Sequence, residues 1–108
     1  MNSKKLLELV LRYIEDSKIE DIEVIDISKK TSIADKLIIG TGSSDKQIES
    51  AMDNLRTFLK ENGLNPKPVI GKASGWVVLD LASVIVNFFT EDVRKYYNLE
   101  KLWLEEIK

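Results

Sequence analysis

Hydrophobic residues near the start of the chain recur every three or four positions, which predicts an amphipathic first helix. Ser3 is suited to cap this helix, which we expect to run to about Asp16. Its apolar face would consist of Leu6, Leu7, Leu9, Val10, Tyr13 and Ile14.

The next two hydrophobic segments are short and rich in β-branched residues, which favours strands. The first is DIEVIDIS at 21–28, and the second is KLIIGT at 36–41. The second segment is apolar at consecutive positions, as expected of an internal strand that is covered on both faces. Residues 29–35 would connect the two strands.

A longer helix is predicted after residue 44. Ser44 and Gln47 stand three residues apart, which is the spacing of a capping box. Apolar residues then recur at helical intervals as far as Leu59, and Gly63 stands where a helix would end. The two prolines that follow exclude continuation of the helix, so VIG at 69–71 would be a short edge strand.

Two further apolar stretches, GWVVLDL at 75–81 and VIVNFFT at 84–90, predict paired strands. Strict alternation puts Trp76, Val78 and Asp80 on one face of the first strand and Val77, Leu79 and Leu81 on the other. Both faces carry apolar residues. One face would therefore pack on the helices, and the other would meet more protein.

Thr90 is suited to cap a last helix that begins with two acidic residues. After it, Tyr97, Leu99, Leu102 and Trp103 resemble a hydrophobic clasp. The predicted order is helix, strand, strand, helix, three strands and a helix. This order predicts a single α/β domain over residues 1–108, with a mixed sheet of about five strands. The long helix would be a right-handed crossover between parallel strands.

The composition narrows the chemistry. Sixteen basic and eighteen acidic residues give a net charge of -2, without the basic stripe that marks nucleic-acid binding. There is no cysteine and no histidine, which removes disulfides, thiolate chemistry and the usual general base near neutral pH. The N-terminus does not resemble a signal peptide, and the longest apolar region, 76–89, is too short to span a bilayer. We therefore expect a soluble cytoplasmic protein.

The turn GTGSSDKQ at 40–47 joins a predicted strand to a helix N-terminus, an arrangement that can bind phosphates. It is not a Walker loop, and Asp45 stands at the third glycine position of a dinucleotide fingerprint. A polymerase-type nucleotidyltransferase would need paired carboxylates for Mg²⁺, but Asp26 and Asp80 each stand alone on their strands. Helix capping is the favoured interpretation, and a nucleotide-using enzyme is the alternative.

Three single residues each have two interpretations. Asp35 is either a general base or, more often for such a residue, a turn or cap residue. Trp76 stacks on a nucleic-acid base or belongs to the core or to a protein interface. Asn87, a polar break in an apolar strand, is either a buried amide satisfied by a loop or a hydrogen-bonding group at a partner surface.

Several stretches together resemble the ribosomal silencing factors, also called the Iojap family. They are SIAD at 32–35, IIGTGSS at 38–44, GWVVLD at 75–80, VIVNFF at 84–89 and RKYYNLEKLW at 94–103. The resemblance implies a nucleotidyltransferase-like α/β fold that lacks catalytic carboxylates, and a protein that is not an enzyme and needs no metal or cofactor. It also implies binding to ribosomal protein number fourteen of the large subunit. The bound factor would block joining of the small subunit and lower translation when nutrients are scarce.

Two positions depart from the family pattern. Asn87 stands where the family usually has His, and asparagine can replace one hydrogen bond of a neutral imidazole but cannot titrate. Ala82 and Ser83 replace the usual Gly-Asp in the hairpin. Both are poor at positive φ, so we expect no two-residue type I′ turn but a longer loop that includes Leu81.

For such a protein we expect the partner to bind one sheet face, with Trp76 as the usual kind of hot spot and Val78 and Leu79 as its neighbours. One sheet face can supply the roughly 800 Å² per partner of a standard interface. The expected partner-binding residues are Trp76, Val78, Leu79, Asp80, Asn87, Asp35 and Tyr97. We expect little direct contact with nucleic acid and none with a membrane. A homodimer that uses the same face is an alternative.

Overall fold

The computed structural model describes residues 3–98 of the chain as three helices and four strands. In chain order these are α1 (Ser3–Glu15), β1 (Glu20–Asp26), β2 (Lys36–Gly42), α2 (Asp45–Glu61), β3 (Trp76–Asp80), β4 (Val84–Thr90) and α3 (Glu91–Tyr97). Each lies where the hydrophobic pattern predicts it. The predicted clasp residues Leu99, Leu102 and Trp103 lie outside the described residues. No helix within 3–98 is long and apolar enough to cross a membrane.

The four strands form one mixed sheet in the order β1-β2-β4-β3. The two inner strands, β2 and β4, run parallel, and each outer strand is antiparallel to its neighbour. The inner strands are covered on both faces, which explains their near-continuous apolar sequence. In β2, for example, Leu37, Ile38 and Ile39 are all buried.

Residues 69–71 do not form the predicted fifth strand. Only Ile70 pairs with β3, through two backbone hydrogen bonds to Val78 of 2.9 and 3.0 Å. The next hydrogen-bonded pair would need a backbone N–H at Pro68, which proline lacks. On the other side, the φ of +92° at Gly71 turns the chain away. The edge of the sheet is therefore a single bridge.

The long helix α2 does not join two parallel strands directly, as the sequence suggested. It follows β2 and leads to β3, which lies antiparallel at the edge of the sheet. The chain then returns as β4 beside β2. The parallel pair is thus separated in sequence by α2 and by β3 together.

Helices α1 and α2 cover one face of the sheet and form the main core. The buried residues are Leu6, Val10 and Ile14 of α1, Ile48, Met52, Leu55 and Leu59 of α2, and, in the sheet, Ile38, Val77, Leu79, Val84, Val86 and Phe88. The opposite face holds a smaller cluster built around Leu37, Ile39 and Phe89, against which Val93 of α3 packs. Along β3 burial alternates residue by residue, as strict alternation predicted.

The connection between β3 and β4 consists of Leu81, Ala82 and Ser83, so the predicted inclusion of Leu81 in the loop is confirmed. Only Ala82 of the three has a positive φ, at +69°, so a type I′ turn does not form. Asp80 accepts a 2.8 Å hydrogen bond from the backbone N–H of Ala82 and stabilises the turn. Alanine nevertheless holds a left-handed conformation here, which it disfavours.

Candidate protein-binding surface

The glycine–serine turn between β2 and α2 is bonded to its own helix. The hydroxyl of Ser44 accepts a 3.1 Å hydrogen bond from the backbone N–H of Gln47. The side-chain oxygen of Gln47 in turn accepts from the backbone N–H of Ser43 and from its hydroxyl. The Ser43 donors that a phosphate would need are therefore engaged with α2, which favours the capping interpretation.

The two glycines of the turn permit close packing. A Cβ atom on Gly42 would lie 2.4 Å from Cγ2 of Ile48 in α2, and one on Gly40 would lie 2.5 Å from Cγ2 of Ile19. Neither glycine has a positive φ. Their role in this structure is the close approach of neighbouring segments to β2, which needs no ligand.

A cleft of about 1160 Å³ opens beside this turn, at the carboxyl ends of β2 and β4. Its lining carries both signs of charge, with Lys18 and Arg94 near three carboxylates of residues 20–23. Arg94 donates 2.6 Å hydrogen bonds to the backbone oxygen of Asp21 and to the hydroxyl of Thr41, so it ties α3 to β1 and β2. Residues 3–98 contain no group of three or more acidic side chains placed to hold a metal ion.

Asp26, a candidate Mg²⁺ ligand by its residue type, is held ionised by its neighbours. It accepts hydrogen bonds from the hydroxyl and backbone N–H of Ser28 and from the ammonium group of Lys36. The Ser28 hydroxyl and then Lys36 hold the pKa of the Asp26 carboxyl well below its usual range. These contacts give Asp26 a local structural role at the start of the 27–35 connection.

An aromatic cluster lies on the sheet face opposite α1 and α2. The Trp76 ring stacks on Phe89, with centroids 5.0 Å apart and planes at 24°. Tyr97 lies over Trp76 at 5.0 Å, and Tyr96 meets Tyr97 edge to face. Phe89 is fully buried, Trp76 is half-buried and Tyr97 is 53% exposed. The cluster therefore extends from the core to the surface.

Asn87 lies directly beneath this cluster and is 2% exposed. Its side-chain oxygen accepts a 2.9 Å hydrogen bond from the indole N–H of Trp76, and its amide nitrogen donates to the backbone oxygen of Ile38 at 3.2 Å. Asn87 is thus a buried amide, as one interpretation held, but its partners lie in the sheet and not in a loop. In this conformation a binding partner would not reach it.

Apolar side chains continue from Trp76 along the β3 edge. The pairings of Val78 with Ile70 and of Asp80 with Ile85 put these side chains on the same face as Trp76. Val78 and Ile85 are half-buried, and Ile70 is 61% exposed. We call this surface the Trp76 face; it comprises Ile70, Trp76, Val78, Asp80, Ile85 and Tyr97.

The structure brings together four of the seven expected partner-binding residues, namely Trp76, Val78, Asp80 and Tyr97. Leu79 is not among them, because it points into the core beneath α1 and α2 and is 0% exposed. The Asp35 side chain accepts a 2.7 Å hydrogen bond from the hydroxyl of Ser3, at the start of α1. The Asp35 side chain is therefore directed toward α1, which covers the sheet face opposite the Trp76 face.

Ile70 and Ile85 belong to the Trp76 face but are not among the residues expected from the sequence. Alternation along β4 groups Ile85 with Asn87 and Phe89, which is a signal that the sequence contains. The structure adds the hairpin register, which sets Ile85 opposite Asp80. Ile70 carried no such signal, since its pairing with β3 is an isolated bridge.

The described fold and this surface define the chain as a small α/β domain with a four-stranded mixed sheet and an exposed apolar sheet face. The family model described as "Ribosomal silencing factor during starvation" matches residues 1–108. The chain belongs to this family, and the expectation from the sequence motifs is confirmed.

Known relatives agree with this assignment. The chain is 38% identical over 104 residues to ribosomal silencing factor RsfS of Bacillus subtilis. The matched region covers 95% of this chain and 88% of that protein. The fold is similar to the crystal structure of a Chromobacterium violaceum protein, with a TM-score of 0.89 and 33% sequence identity. The superposed region covers 95% of this chain and 87% of that one. The mouse protein named "Mitochondrial assembly of ribosomal large subunit protein 1" is 25% identical, over 90% of the chain and 44% of its own length.

Proposed function

We propose that the protein represses translation by binding the large ribosomal subunit through the Trp76 face and blocking attachment of the small subunit. The observation that carries this proposal is an exposed apolar sheet face in a member of the silencing-factor family. The partner would be ribosomal protein number fourteen of the large subunit, at the surface where the subunits meet. The name of the mouse relative, which refers to the large subunit, supports the choice of subunit.

A steric repressor needs a stable surface and no chemical step, and the Trp76 face has the features of one. A half-buried tryptophan with apolar neighbours is the usual centre of a protein interface. The excess of acidic over basic residues would favour encounter with a basic ribosomal protein. We accordingly propose a non-enzymatic, single-domain protein that acts in the cytoplasm.

Co-sedimentation with purified large subunits tests the proposal. The wild type should pellet with the subunits at micromolar concentration, and Trp76→Ala should weaken binding by about tenfold or more, as for a hot spot. Val24→Ala is the matched control, because Val24 is exposed on β1, at the opposite edge of the sheet. The wild type should also lower the yield of joined ribosomes from purified subunits. Absence of co-sedimentation would refute the proposal.

A homodimer through the Trp76 face is the second candidate, because the same exposed apolar residues suit self-association. Light scattering on the wild type and on Trp76→Ala separates the two. If the substitution dissociates a dimer but leaves binding to the large subunit intact, the face is a dimer interface and our assignment is wrong.

We also propose that the fold is nucleotidyltransferase-like and lacks a catalytic site. If the turn at 40–47 has lost nucleotide binding, calorimetry with a nucleoside triphosphate and Mg²⁺ should give no heat of binding. Tight binding would favour the enzyme alternative and would direct attention to the cleft beside α2.

A further inference from the structure

We infer that Asn87 is a positioning residue, which holds the Trp76 ring in one orientation before a partner binds. The inference rests on the proposed function of the Trp76 face. Asn87 is the one buried polar side chain among residues 3–98, within a strand that is otherwise apolar at its centre. Burying an amide is unfavourable unless both of its ends find partners. The hydrogen-bond partners of the Asn87 amide therefore indicate what this residue does.

The amide of Asn87 has only one orientation that satisfies both ends. Its nitrogen donates to the backbone oxygen of Ile38, an atom fixed by the sheet. Rotation of the amide by half a turn would set its oxygen against that carbonyl oxygen and its NH₂ group against the indole N–H of Trp76. Both contacts would then be repulsive. The Asn87 oxygen is consequently a fixed acceptor for the Trp76 indole.

The stacking contacts complete the restraint on Trp76. Phe89 supports one part of the ring from the core, and Tyr97 contacts it from α3. A side chain that is ordered before binding loses less entropy in the complex, and the effect corresponds to roughly 3- to 10-fold in affinity. Asn87 would supply the directional part of this restraint, since stacking alone permits the ring to slide.

The hydrogen bond also decides what the Trp76 face presents to a partner. The indole N–H is already bonded inside the protein at 2.9 Å. The outward part of the ring is therefore apolar, and the partner should offer aliphatic or aromatic side chains at this point. A hydrogen-bond acceptor on the partner would gain nothing from Trp76.

A double-mutant cycle tests the inference, with Asn87→Ala and Trp76→Phe as the single variants. Asn87→Ala should weaken binding to the large subunit by about 3- to 10-fold when residue 76 is tryptophan. It should have little further effect in the Trp76→Phe background, where there is no N–H to orient. An equal loss in both backgrounds would overturn the inference, because Asn87 would then act only through general stability.

A second measurement is independent of the ribosome. In a Trp103→Phe background Trp76 is the only indole, and its N–H resonance can be followed by NMR. The wild-type resonance should exchange slowly with solvent, and Asn87→Ala or Asn87→Leu should accelerate exchange while the sheet amides stay protected. Unchanged exchange in a folded variant would contradict the inference. If Trp76→Ala also binds the subunit normally, the proposed function itself fails.

Discussion

The hydroxyl of Ser3 donates a 2.7 Å hydrogen bond to the carboxylate of Asp35, across 32 positions of sequence. The backbone of Asp35 makes two further contacts. Its N–H donates to the oxygen of Ser83 at 2.8 Å, and its carbonyl oxygen accepts from the N–H of Ile27 at 2.9 Å. Asp35 thus joins the start of α1 to the connection between β1 and β2 and to the connection between β3 and β4. These contacts suit a structural role.

Asp35→Ala should therefore lower the free energy of unfolding by about 1–2 kcal/mol, because it removes a hydrogen bond to a charged group. Affinity for the large subunit should stay within about twofold of the wild type. Urea denaturation and co-sedimentation measure the two quantities. Ser3→Ala removes the same bond from the other side, so the double variant should lose less than the sum of the single losses. If Asp35→Ala keeps its stability but loses the subunit, Asp35 belongs to the binding surface after all.

Trp76→Ala should lower the free energy of unfolding by less than the truncation of a fully buried aromatic residue does. A fully buried aromatic residue loses about 3–5 kcal/mol on truncation to alanine. Trp76 is half-buried, so we expect a loss of about 2 kcal/mol, to which the unpaired oxygen of Asn87 contributes. Thermal melts of Trp76→Ala and of Phe89→Ala provide the comparison, because Phe89 is fully buried beneath the same ring. Equal losses in the two variants would mean that Trp76 is a core residue and not a surface for a partner.

Ala82→Gly should stabilise the protein. A left-handed φ costs alanine about 1–2 kcal/mol, whereas glycine adopts it freely but loses more entropy on folding. The net gain should be about 0.5–1 kcal/mol, measured by urea denaturation. Ala51→Gly, within α2, is the control and should destabilise by about 1 kcal/mol. A loss of stability in Ala82→Gly would mean that the turn is not strained at this position.

Alternation and helical spacing were enough to predict the three helices and four strands, and to separate the two faces of β3. They did not determine which face of β3 is exposed, because both faces carry apolar residues. The same alternation puts Leu79 and Trp76 on different faces of β3. Leu79 is close to Trp76 in sequence, but the geometry of the strand excludes it from the binding surface. The bond between Trp76 and Asn87 depends on register. Trp76 faces Phe89 and Val78 faces Asn87, which makes Trp76 and Asn87 diagonal neighbours. A sequence without a known register does not reveal such a pair. The missing fifth strand depended on single backbone groups at Pro68 and Gly71, which hydrophobic pattern does not report.

Gly42→Ala tests whether the glycine–serine turn is shaped by packing. The added methyl group would lie 2.4 Å from Cγ2 of Ile48 and 3.0 Å from the side-chain oxygen of Gln47. Helix α2 would have to shift away from β2, at a cost of about 1–3 kcal/mol in the free energy of unfolding. Ile48→Ala removes the atom that clashes, so the double variant should lose clearly less than the sum of the two single losses. Gly63→Ala is the control for glycine replacement as such, since nothing lies within 4 Å of the position of its Cβ. The loss of stability in Gly63→Ala comes from the φ of +85° alone. It should therefore be additive with the loss in Ile48→Ala. Additive losses for Gly42→Ala and Ile48→Ala would show that close packing is not the reason for the glycine, and would reopen the question of a ligand at this turn.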